Sequence, residues 1–117
     1  MDAEACQSCL RAVRLVARSA RLCAVTDTHT PQYAAAVDSA TRMIDRAQSY
    51  FQTAKGARSS TEREVRLVLT ALVEARAIVT ALTSARELDT EDLQRMAGKV
   101  ERALARAGGS EPPPEAA

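Results

Sequence analysis

The sequence contains no tryptophan, and Tyr33, Tyr50 and Phe51 are its only aromatic residues. A core built on large rings is therefore excluded, and Leu, Val, Ile, Met and Cys must fill it. His29 is the only histidine; with no nucleophile at motif spacing beside it, it reads as a solvated loop residue. Four scattered glycines cannot form a phosphate-cradling loop, and no G-x-S-x-G, HExxH, P-loop or dinucleotide fingerprint occurs. No apolar run approaches the roughly 20 residues that span a bilayer. The acidic start Met1-Asp2-Ala3-Glu4 lacks the basic and apolar regions of a secretion leader. Neither sign of charge dominates: the net charge of +1 supplies no overall field toward nucleic acid or acidic membrane. Three cysteines, an odd number, suit a reducing compartment better than a disulfide framework. These shortages together predict a soluble, cytoplasmic chain that is not an enzyme and carries no cofactor or metal.

What is abundant is helix-forming material. Hydrophobic residues make up 46% of the 117, much of this alanine, the best helix former. The length fits one domain. Four amphipathic segments fill it. Cys6, Cys9, Val13, Val16, Ala20 and Cys23 recur at alternating steps of three and four, predicting a helix over 2–25. Leu15 and Leu22 form a flanking apolar line, the mark of a helix that touches two neighbours. Tyr33, Val37, Ala40, Ile44, Ala47, Phe51 and Ala54 stripe a second helix that runs to Lys55. Val65, Val68, Leu72, Ala75, Val79 and Leu82, widened by Leu69, Val73 and Ile78, stripe a third that runs to Glu87. This third helix is the most apolar and is expected to be the most buried. Met96, Val100, Ala103, Leu104 and Ala107 stripe a shorter fourth.

Local signals mark the ends. Thr30 is a good N-cap, and Pro31 is tolerated at the first helical position because its missing N–H would be unpaired there. Gly56 stands where a left-handed C-terminal cap belongs. Ser59 with Glu62, or Thr61 with Glu64, can form a capping box. Asp89 caps the fourth helix, Glu91 and Asp92 suit its positive end, and Leu88 can staple to Leu93. Gly98 inside that helix costs about 1 kcal/mol relative to alanine. The short connections make consecutive helices antiparallel. The expected fold is all-α, an up-down-up-down antiparallel four-helix bundle over residues 1–107, with a disordered Pro/Gly/Glu tail at 108–117.

Cys6-Gln7-Ser8-Cys9 is a CxxC, but a structural zinc site wants four ligands and only Cys23 and His29 could complete one. A redox dithiol expects a βαβ setting that is missing here. The three cysteines read instead as small core hydrophobes. Arg11, Arg14, Arg18 and Arg21 line one side of the first helix, with no acid between Ala5 and Val25. They are the candidate partner-binding residues. The competing reading is a solvated face, or pairing with Asp38, Asp45 or Glu101, each exposed pair contributing about 0–1 kcal/mol. No aromatic stands among these arginines to stack bases.

Cys6-Gln7-Ser8-Cys9 followed by Leu15-Val16-Ala17, the aromatic-led stretch from Tyr33 through Asp38 to Ile44, and Leu72-Val73-x4-Ile78-x3-Leu82-Thr83-x-Ala85 resemble, in order and spacing, the talin-rod and vinculin type of helical bundle. The likeness spans the first three helices. It implies a cytoskeletal adaptor that binds actin filaments or short partner helices. Leu67, Ala71, Ala75, Ile78, Leu82 and Ala85 partly match the pattern of a vinculin-binding helix, with Glu74 where that family has an apolar residue. The fifth helix of many talin bundles is missing. The expected function is a non-enzymatic protein-interaction module, an adaptor or scaffold. Its partner would be an amphipathic helix or an actin-type cytoskeletal protein. The alternatives are a homo-oligomeric structural protomer, or anionic-surface binding, to nucleic acid or membrane, through the arginine line.

Overall fold

In the computed structural model, which describes residues 3–54, 62–84 and 88–108, the apolar stripes become four helices. They are α1 (Ala3–Ala24), α2 (Pro31–Ala54), α3 (Glu62–Thr83) and α4 (Thr90–Gly108). There is no strand among the described residues. No helix among them is long and apolar enough to cross a membrane. The expected caps at Gly56, Ser59 and Thr61 and the tail beyond Gly108 lie outside the described residues, whereas α3 ends at Thr83, short of the expected Glu87, with Ser84 in a bend.

The ends that are described obey their local chemistry. Tyr33 donates its backbone N–H to Thr30 Oγ1 at 3.2 Å, and Pro31 occupies the first helical position. Asp89 Oδ1 accepts the N–H of Glu91 at 2.9 Å. Half-buried Leu88 packs against the core to which buried Leu93 belongs. α1 closes on a tightened last turn, where Thr26 Oγ1 donates to the Leu22 carbonyl at 2.6 Å and Val25 N–H reaches the same oxygen at 3.2 Å. α4 continues to Gly108, one residue past the expected Ala107. Thr41, Thr70 and Thr83 return their hydroxyls to the carbonyls four residues back, so these in-helix threonines satisfy themselves.

One contiguous core unites the four helices. Its large, fully buried members come from every helix: Val13 and Val16, Ile44, Leu72 and Ile78, Leu93 and Val100. No buried polar residue interrupts it among the described residues. α1 packs against all three other helices, whereas α2 and α4 have no close approach between their described residues. α1 and α3 therefore span the short diagonal of the cross-section. Ala20 of α1 and Ala75 of α3 are both wholly buried.

This arrangement overturns the expectation that the third helix is the most buried. α1 places more of its residues in the core, from Cys6 to Ala24, than α3 does, while Leu69 and Val73 of α3 stand 44% and 56% exposed. The reason is packing: both helices touch the other three, but α2 and α4 each pack more extensively against α1 than against α3. Where α2 and α3 approach, Arg76 bridges them. Its Nη2 donates to Asp45 Oδ1 at 2.6 Å and its Nε to Gln48 Oε1 at 3.0 Å.

Candidate interaction surface

The outward side of α1 follows from the same periodicity that builds its core side. Arg11, Arg14, Arg18 and Arg21 recur at steps of three, four and three, opposite Val13, Val16 and Ala20, and all four are exposed. The structure does not leave them equivalent. Arg21 leans toward α4 and makes a forked pair with Glu101, Nη2 to Oε1 at 2.6 Å and Nε to Oε2 at 3.1 Å. Both side chains are well exposed, so the pair contributes about 0–1 kcal/mol. Arg11, Arg14 and Arg18 have no ion-pair partner among the described residues. The acids that could have reached them from α2 are engaged elsewhere: Asp38 with Arg42 and Asp45 with Arg76.

Beside this line, α1 and α2 leave an open groove of about 420 Å³. Ala12 and Leu15 line it from α1, Met43, Ala47 and Tyr50 from α2, and exposed Arg11 and Arg46 stand on its opposite walls. Leu15 is 37% exposed and Tyr50 45%. The flanking line of Leu15 and Leu22, expected to be covered by a second neighbour, is thus left open to solvent. The groove residues Met43, Arg46 and Tyr50 were not among the candidates read from sequence. Their signal was present but weak: Met43 and Tyr50 repeat at one heptad on the flank of the α2 stripe, as Leu15 and Leu22 do on α1.

A second depression, about 600 Å³, lies where the start of α1 meets the start of α3 and the end of α4. Arg63, Glu64 and Arg106 line it, so both charge signs meet there. The two cavities differ in kind. One is mixed in charge; the other is apolar between arginines.

The groups with the most intrinsic reactivity are withdrawn from the surface. Cys6, Cys9 and Cys23 are free and buried. Cys9 Sγ approaches the Ala47 carbonyl at 3.8 Å across the α1–α2 seam. Burial, and secondarily the neighbouring Cys6, pushes the Cys9 thiol up to about 11; burial raises Cys23 too. Both shifts disfavour the thiolate that nucleophilic or metal chemistry needs. No group of three or more His, Cys, Asp or Glu residues is placed to hold a metal ion among the described residues. His29 sits exposed in the α1–α2 loop, where its backbone N–H donates to Asp27 Oδ1 at 2.9 Å.

No protein-family model matches this chain, and comparison with curated proteins and with solved structures likewise gives no match.

Proposed function

We propose that the chain is a non-enzymatic interaction module: an up-down-up-down antiparallel four-helix bundle that acts as an adaptor by presenting its helical surface to a protein partner. The connectivity is supported by which ends meet. Cys9, early in α1, approaches Ala47, late in α2. Cys6 and Leu10 share a depression with Arg106 and Ala107, late in α4, and with Arg63 and Leu67, early in α3. The functional reading rests on one observation above others: the α1–α2 groove exposes Leu15 and Tyr50 between arginines, at a cost in exposed apolar surface that folding alone does not require. The resemblance to talin-rod and vinculin-type bundles adds actin-type cytoskeletal proteins to the candidate partners.

The test is comparative capture from cytoplasm with the wild-type chain and a Leu15→Glu/Tyr50→Glu variant, followed by co-sedimentation with actin filaments. Partners retained by the wild type and lost by the variant support an adaptor. Identical capture by both removes the groove as the working surface. A second reading, a homodimer, is favoured by Leu69 and Val73 on the outer side of α3. Light scattering of the wild type and of Leu69→Glu decides it: a mass that stays at one chain at high concentration dismisses this reading.

A further inference from the structure

We infer that the α1–α2 groove receives an acidic amphipathic helix, whose apolar stripe seats between Leu15, Met43 and Tyr50 and whose flanking carboxylates meet Arg11 and Arg46. The inference rests on the interaction-module reading and specifies the partner's chemistry and its seat. Its first ground is charge. α1 has no acidic residue from Ala5 to Val25. The acids of the α2 stretch beside it, Asp38 and Asp45, are already paired with Arg42 and Arg76. Arg11 and Arg46 therefore stand on opposite walls of an apolar floor with no counter-charge of their own among the described residues. A basic or neutral helix would leave both cations facing it unpaired; an acidic one supplies charge on both of its flanks.

The second ground is repeat. Met43 and Tyr50 line one wall at a single heptad, and Leu15 and Arg11 of the other wall recur one heptad on along α1 as exposed Leu22 and Arg18, beyond the residues that line the groove. A helix laid along a seam of two helices meets its floor with that same spacing. A flat anionic bilayer has no use for a concave floor or for this register. The mixed-charge depression at the start of α1 offers neither feature, since Glu64 stands there among Arg63 and Arg106.

The experiment uses the whole chain and three synthetic helices of about 20 residues, long enough to span about 30 Å. The first carries Leu anchors at i, i+4, i+7 and i+11 with Glu and Asp on both flanks. The second replaces every acid by Lys, and the third scrambles the anchors. Binding is read by fluorescence anisotropy and by amide shifts in 15N-labelled protein; vesicles containing phosphatidylserine form a separate arm. The expected result is saturable binding of the acidic helix, with shifts centred on Ala12, Leu15, Met43 and Tyr50. The lysine and scrambled helices should bind at least about tenfold more weakly, and the affinity should fall with salt. Arg11→Glu/Arg46→Glu should reverse the preference between the acidic and lysine helices. These residues are exposed, and unchanged circular dichroism certifies the fold of the variant. Equal binding of acidic and lysine helices, shifts confined to α3 and α4, or uptake by vesicles without uptake of the helix each overturns the inference. If none of the three helices binds while natural partners are still lost from Leu15→Glu/Tyr50→Glu, the acidic-helix inference fails and the adaptor reading stands. If that variant loses no partner, the adaptor reading fails.

Discussion

α1 and α3 are close in length and both amphipathic, yet the less apolar of them is the better buried. α1 places Cys9, Val13, Val16 and Ala20 wholly inside, while α3, which has the richer apolar face, leaves Leu69 and Val73 in solvent. Both helices touch the other three, so burial in this bundle is decided by how closely each seam packs. α2 and α4 each pack more extensively against α1 than against α3, and the α2–α3 seam is held in part by polar bonds from Arg76 to Asp45 and Gln48. The same asymmetry leaves working surface. α1 turns its inner face to the core and keeps Leu15, Leu22 and three arginines with no ion-pair partner among the described residues outside.

The sharpest way to break this comparison is to truncate matched leucines. Leu10→Ala in α1 and Leu72→Ala in α3 remove side chains that are 4% and 1% exposed, and each should destabilise by about 2–5 kcal/mol in urea unfolding. Leu22→Ala and Leu69→Ala, from half-exposed positions on the same helices, should stay within about 0.5 kcal/mol. If Leu69→Ala proved as costly as Leu72→Ala, α3 would be covered in solution by something the single chain does not supply. Overfilling is the next largest effect. Ala20→Leu, at a wholly buried hub position, should cost about 1–3 kcal/mol, whereas Ala34→Leu on exposed α2 surface should cost almost nothing.

A smaller gain is expected in α4. A methyl group at Gly98 would lie 3.5 Å from Arg102 Nη1, an ordinary contact with the end of a flexible side chain. Close packing therefore does not require this glycine, and Gly98→Ala should stabilise by about 0.5–1 kcal/mol, read as a rise in the urea midpoint. The smallest effect is alkaline. Below pH 9.0 the Cys9 thiol is protonated whether the chain is folded or not, and its contribution to stability is fully present. Between 9.0 and about 11 the unfolded chain releases the proton and the folded chain keeps it, so that contribution is lost as pH rises. Buried Cys23 and half-buried Tyr33 shift in the same direction and add to the fall. Cys9→Ala should flatten the decline; an unchanged slope would mean that the thiol is solvated in the folded chain.

The parts of the fold legible in the sequence are those whose physics is local. Thr30-Pro31 and the Leu88-Asp89…Leu93 group cap helices through bonds spanning two or three residues, so the residue types announce the outcome. The Arg21–Glu101 pair was among the anticipated pairings, whereas Asp38 and Asp45 found Arg42 and Arg76 instead of the arginine line. Which arginine reaches which acid depends on how the helices rotate against one another, which no spacing within one helix encodes. The groove escaped for the same reason. Arg11 was a candidate, but Met43, Arg46 and Tyr50 acquire meaning only when α2 lies beside α1.

The chain by itself determined four helices, the N-caps of α2 and α4 and the face each helix turns inward, because periodicity and capping act within a few residues of backbone. Tertiary packing alone decided that α1 would be the hub, that Leu69 and Val73 would stay wet, and that an apolar groove between arginines would open beside α1. Those outcomes depend on how closely each face meets its neighbours, a quantity that exists only once the helices have assembled.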